Sequence, residues 1–87
     1  MYTSGMSITV HALLFARYAE LLGADRMTLA LPDGAQAADA VAAVRQGRHG
    51  GLLPVTVLLA VNGRQAGAAQ VLSDGDEVAI LPPLAGG

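Results

Sequence analysis

The sequence predicts an α+β domain in which a mixed sheet of four to five strands packs on one main helix. Three observations predict it. Apolar and polar residues alternate at four separate places, which is the period of a strand. One alanine-rich stretch has the propensity and spacing of a helix. The 87 residues suffice for one domain and not for two.

In chain order, residues 1–6 read as a disordered extension, 7–81 as the domain and 82–87 as a flexible tail. Ser7 to Leu13 alternates, with Ile8, Val10 and Ala12 on one side and Thr9, His11 and Leu13 on the other. Ala16 to Leu22 reads as a short helix carrying Tyr18, Leu21 and Leu22 and stopped by Gly23. Met27 to Leu31 alternates again, up to the turn signal Pro32-Asp33-Gly34. Ala37 to Gln46 is the main helix, with Val41 and Val44 as its bulkiest contacts and Ala37 and Ala38 expected on the same side. Gln36 falls at its N-cap, where glutamine is a weak residue, and Asp39 in the first turn offsets part of that through the helix dipole.

The glycines between Gly47 and Pro54 mark a loop. Val55 to Val61 is the most β-prone run, with Val55, Val57, Leu59 and Val61 on one face, and Asn62-Gly63 is a tight-turn signal. Arg64 to Val71 fits either a short edge strand or irregular chain. Ser73-Asp74-Gly75-Asp76 turns into the last strand, Glu77 to Leu81, with Val78 and Ile80 facing the core. The first and last strands are the natural central pair. That order is shared by β-grasp, or ubiquitin-like, domains.

Composition excludes several kinds of chemistry. Hydrophobic residues make up 53% and aromatic ones 3%, so the core must be aliphatic. The net charge is −2 and all five basic residues are arginine, which leaves no basic stripe for a phosphate backbone. Cysteine is absent, so there is no disulfide, thiolate metal site or cysteine nucleophile, and His11 and His49 alone make no metal cluster. No apolar run approaches the roughly 20 residues of a membrane helix. A cytoplasmic domain with no membrane or nucleic-acid partner is expected.

Two features point outward. The sheet residues turned away from the helix are His11, Leu13, Leu58, Ala60, Ala79 and Leu81, a largely apolar set where a solvated face should be polar. Either this is a partner surface or the Arg64–Leu72 segment folds over it. The second feature is the tail. Pro82 and Pro83 cannot donate to a ladder and end the strand, while Gly86 and Gly87 carry no side chain and fit a narrow tunnel in another protein. A carboxylate becomes an acyl donor only when activated, for instance as an adenylate, and the chain has no phosphate-binding glycine loop of its own. An activating partner would have to supply ATP chemistry.

These pieces carry a resemblance. Phe15-Ala16 leads into Glu20-Leu21-Leu22-Gly23; then come Leu31-Pro32-Asp33-Gly34-Ala35, Val61-Asn62-Gly63, and the run from Leu72 through Ser73-Asp74-Gly75-Asp76-Glu77 to Leu81-Pro82-Pro83-Leu84-Ala85-Gly86-Gly87. From Ser7 to Gly87 the chain resembles the small subunit of molybdopterin synthase, a ubiquitin-like sulfur carrier. The resemblance implies that Gly87 is adenylated by an activating enzyme that consumes ATP, and that a sulfur donor protein converts it to a thiocarboxylate. The tail would then enter a large catalytic subunit, in a heterotetramer, and give its sulfur to a cyclic pyranopterin precursor. The chain would be a non-catalytic subunit with no bound cofactor and no metal. Gly87 would carry the chemistry. Gly86, Ala85, Leu84, Pro83, Pro82, Leu81, Leu58, Ala60, Ala79 and Phe15 would meet the partner. Two departures stand out: Ala19 occupies a place where the family usually has arginine, and Gln36 one where it usually has threonine. Sulfur carriers of thiamine or cysteine synthesis, a ubiquitin-like protein modifier and a pure binding module are the competing readings.

Overall fold

The computed structural model describes residues 7–47, 49–54 and 56–82. The chain runs β1 (Ser7–Leu14), α1 (Arg17–Leu22), β2 (Arg26–Pro32), α2 (Ala37–Gln46), a 3-10 turn (Gly50–Leu52), β3 (Leu58–Val61), β4 (Arg64–Ala66) and β5 (Glu77–Leu81). The strands form one sheet in the order β2-β1-β5-β3-β4. β1 and β5 are parallel and adjacent, with Ala12 opposite Val78 and Leu14 opposite Ile80, and the other pairs are antiparallel. This is the β-grasp arrangement, and the first and last strands are the central pair that the sequence predicts.

One face of the sheet buries against α2. Val10, Val44, Val78 and Ile80 are fully enclosed, with Ile8, Ala12, Leu14, Leu29, Leu31, Leu59 and Val61 around them. The helix contributes Ala37, Ala40, Val41 and Val44. Ala38, expected on that side, is exposed. In a helix this rich in alanine, one position differs little from the next in apolarity, and only the spacing of Val41 and Val44 marks the buried stripe.

The Val55–Val61 run forms a shorter strand than expected, beginning at Leu58. Its partner explains this. Leu58 pairs with Leu81, so Val57 would face Pro82, which has no N–H to donate. Val57 packs half-buried against the core without joining the ladder, and Val55 lies outside the described residues. The loop from Gly47 to Pro54 contains the 3-10 turn, and just after that turn the carbonyls of Leu53 and Pro54 accept hydrogen bonds from the Arg45 guanidinium. Gly50 sits so close to the end of α2 that a Cβ there would lie 2.1 Å from the Val44 carbonyl oxygen.

Arg64–Val71 resolves into both alternatives. Three residues form the edge strand β4 after a two-residue turn in which Asn62 and Gly63 take φ of 52° and 84°, as a type I′ hairpin requires. The chain then crosses to the helix side. The Ala37 N–H donates to the Gln70 carbonyl at 2.8 Å and the Ala38 N–H to that of Ala68 at 2.9 Å. The Leu72 N–H donates to the Ala35 carbonyl at 2.8 Å, and the Leu72 side chain is buried. Backbone carbonyls thus satisfy the first amides of α2, where the side chain of Gln36 is a poor cap. Asp39 Oδ2 adds a bond from the Gln36 N–H at 2.7 Å.

Candidate functional site

The crossing segment decides the question of the second sheet face. Residues 67–72 lie at the N-terminus of α2, so they do not cover the opposite face. That face carries alternate residues of every strand. From β2 come Arg26, Thr28 and Ala30; from β1, Thr9, His11 and Leu13; from β5, Glu77, Ala79 and Leu81; from β3, Leu58 and Ala60; from β4, Gln65.

Register divides the face into two halves. Towards the start of β5 it is polar: His11 Nδ1 stands 3.5 Å from Thr28 Oγ1, and Glu77 forms an ion pair at 3.4 Å with Arg26, which reaches diagonally across β1 from the level of Leu13 and Ala79. The ion pair is about half exposed on both sides, so it contributes little stability. Towards the end of β5 the face is apolar. Leu58 lies opposite Leu81, Ala60 opposite Ala79, and Leu13 beside Ala79. Leu58, Ala60, Leu81, Gly63, Gln65 and Pro82 line one open groove there.

Phe15 joins this half through the central parallel pair. Parallel strands end on the same side, so one register step past Leu14 and Ile80 places Phe15 level with Leu81. Phe15 is 46% exposed. It shares a second groove with Leu13, Ala16, Ala19 and Arg26. The turn that presents it is tight: the Tyr18 N–H donates to the Phe15 carbonyl at 3.0 Å across Ala16, whose φ is 51° and ψ −125°. That is the second position of a type II′ turn, which ordinarily takes glycine.

Of the partner-contact residues expected from sequence, Phe15, Leu58, Ala60, Ala79, Leu81 and Pro82 are thus brought to one end of one face. Pro83, Leu84, Ala85, Gly86 and Gly87 lie outside the described residues, as does the expected extension over residues 1–6. Gln65, which was not expected, is the amide side chain among the groove residues. Its signal was hidden because its strand was ambiguous.

The Ser73–Asp76 turn proves to hold the exit strand in place. Asp74 Oδ1 accepts from the Thr9 N–H at 2.7 Å, and the Gly75 N–H donates to the Thr9 carbonyl at 2.6 Å. Asp76 accepts from the Ser73 N–H at 2.8 Å and from Asn62 Nδ2 at 2.9 Å, and Asn62 Oδ1 accepts from the Glu77 N–H at 2.9 Å. These carboxylates tie β5 to β1 on one side and to the β3–β4 turn on the other, which fixes where the chain leaves the sheet at Pro82. Among the described residues no group of His, Asp and Glu could hold a metal ion, and no helix is long and apolar enough to cross a membrane.

Comparison with known proteins agrees with this architecture. Residues 12–87 match the ThiS family. The molybdopterin synthase sulfur carrier subunit of Chlamydomonas reinhardtii is 38% identical over 82 residues, covering 90% of this chain and 98% of that one. A Pyrococcus furiosus structure described as molybdopterin converting factor, subunit 1 superposes with a TM-score of 0.78 at 31% identity, over 88% of this chain and 99% of that one. The small archaeal modifier protein SAMP1 of Haloferax volcanii superposes with a TM-score of 0.70 at 27% identity, over 91% and 99% of the two chains.

Proposed function

The chain belongs to the ThiS family, and from that premise we propose that it is the sulfur carrier of a molybdopterin synthase, working in the cytoplasm. The observation that carries this reading is the 38% identity, over nearly the whole of both chains, to a molybdopterin synthase sulfur carrier subunit. The geometry supports it: an apolar half-face surrounds the place where the chain leaves the sheet, and the hydrogen bonds of Asp74, Asp76 and Asn62 hold the strand that leads to it.

In this reading an activating enzyme joins the Gly87 carboxylate to the adenylyl group of ATP, releasing pyrophosphate. The outer sulfur of a persulfide on a sulfur donor protein then attacks the acyl carbon, and AMP leaves with the former carboxylate oxygen. A thiol next attacks the donor's own sulfur, forming a disulfide there and releasing Gly87 as the thiocarboxylate. Gly86 and Gly87, without side chains, enter the active site of a large catalytic subunit, where the sulfur bonds to a cyclic pyranopterin precursor and water cleaves the acyl–sulfur bond, returning Gly87 to the carboxylate. The acid–base groups belong to that subunit, in a heterotetramer of two small and two large chains. This chain contributes docking area, reach and the sulfur atom.

The test is a purification from native lysate through an N-terminal tag, with intact mass read on bait and partner. A molybdopterin synthase large subunit together with an oxygen-for-sulfur mass gain on the bait is the expected result. A thiazole synthase partner would keep the carrier chemistry and move the pathway. A second reading, a protein modifier, is favoured by the likeness to a small archaeal modifier protein. It would appear instead as Gly87 joined to lysines of other proteins.

A further inference from the structure

An activated acyl group is lost to whichever nucleophile meets it first. At neutral pH the effective side-chain nucleophiles are amines and thiolates, and a hydroxyl competes only when a base stands beside it. The 87 residues contain neither lysine nor cysteine. All five Lys-or-Arg positions are arginine, whose guanidinium stays protonated and does not attack. The surroundings of the exit are barren in the same way: the groove at Pro82 is lined by Leu58, Ala60, Gly63, Leu81 and the non-nucleophilic amide of Gln65.

Among the described residues the hydroxyls fare no better. Tyr18 is buried. Among the described residues the hydroxyl that meets an imidazole is that of Thr28, and its 3.5 Å distance to His11 Nδ1 is too long for efficient proton transfer. That pair also lies on the polar half of the face, away from the groove at Pro82.

We propose that this chain is a donor only. Once its Gly87 carboxyl is activated, the acyl group or its sulfur passes to another protein or to a substrate held by one, and no side chain of this chain, in the same copy or in a second, takes it up. Where an amine of a target is the acceptor, the C–N bond forms as the bond to the leaving group breaks, and the amine's proton goes to solvent. Copies of this chain then never branch on one another through a side chain. The inference rests on the reading that Gly87 is activated, but it is tested without the activating enzyme.

The full chain is prepared with an acetylated α-amino group and Gly87 as the thioester of 2-mercaptoethanesulfonate. It is mixed with excess unactivated chain, likewise acetylated at its α-amino group, in mildly alkaline buffer and followed by intact mass and peptide mapping. In a parallel sample free cysteine captures the acyl group, thiol exchange preceding transfer to its amine. The expected result is reversion of the thioester to the carboxylate with no covalent dimer, while a Gln65→Lys chain under the same conditions forms an isopeptide-linked product. An ester or imidazole adduct on the wild-type chain, or a several-fold slower loss of thioester in His11→Ala, overturns the proposal. A Gln65→Lys chain that stays monomeric overturns its ground, since geometry and not the missing amine would then bar joining. None of these outcomes depends on which pathway uses the sulfur, and absence of the thiocarboxylate in cells leaves them unchanged.

Discussion

Asn62 and Asp76 are joined at 2.9 Å between Nδ2 and Oδ1, and this bond ties the β3–β4 turn to the turn that launches β5. Asp76 also accepts from the Ser73 N–H, and Asn62 returns a bond from its Oδ1 to the Glu77 N–H. Asp76→Ala removes the acceptor of two bonds, one of them to a backbone amide. A bond to a charged group contributes about 1.5–3 kcal/mol at most, and partial exposure here brings the expected loss to about 2 kcal/mol. Urea denaturation measures it. A loss below the error of the fit would show that water replaces the carboxylate at no cost.

Ala16 is the position where a glycine should do better. Its φ of 51° and ψ of −125° suit the second residue of a type II′ turn, where a Cβ is strained. Ala16→Gly is expected to raise stability by about 1 kcal/mol, the release of strain exceeding the added freedom of the unfolded chain. Thermal unfolding reads the sign directly, and a lower Tm would mean that the turn relaxes in solution.

The helix and the central strands were legible because side chains announce them. Alternation marks β1 and β5, and Val41 with Val44 marks the buried stripe of α2. The apolar half-face was legible for the same reason, since Leu58, Ala60, Ala79 and Leu81 follow from parity along two strands. The crossing segment was not. Its contribution is made by the carbonyls of Ala68 and Gln70, which any residue could supply. Nor was the exposure of Ala38, because neighbouring alanines give a helix little contrast between faces. The position of Phe15 follows from the parallel register of β1 and β5, a long-range fact that local pattern does not contain.

Gly50 should tolerate no side chain. A Cβ would meet the Val44 carbonyl oxygen at 2.1 Å and that of Arg45 at 2.5 Å, both backbone atoms at the end of α2. The turn would have to move away from the helix, pulling the buried Leu53 with it. Gly50→Ala is expected to cost about 2–4 kcal/mol, in the range of overpacked or displaced core positions. Gly51→Ala, with nothing within 4 Å of its Cβ, serves as the control and should change stability by less than about 1 kcal/mol. Equal Tm values for the two would refute the close approach.

The apolar half-face makes the sharpest demand on the functional reading. Leu58 and Leu81 lie opposite one another and are only half-buried in the free chain, so either can accept a charge without entering the core. Leu58→Asp and Leu81→Asp should therefore leave the folded domain intact by circular dichroism. Against a docked large subunit each would bury a carboxylate in an apolar contact, which costs far more than losing the leucine alone. A weakening of at least tenfold, or about 1.4 kcal/mol, is expected for each by titration calorimetry. Thr28→Asp, on the polar half of the same face, should weaken the complex less. If all three variants bind alike, the partner docks elsewhere and the half-face has lost its assigned role. If Thr28→Asp alone is impaired, the footprint lies on the polar half, and the distance from the exit at Pro82 becomes the feature to explain.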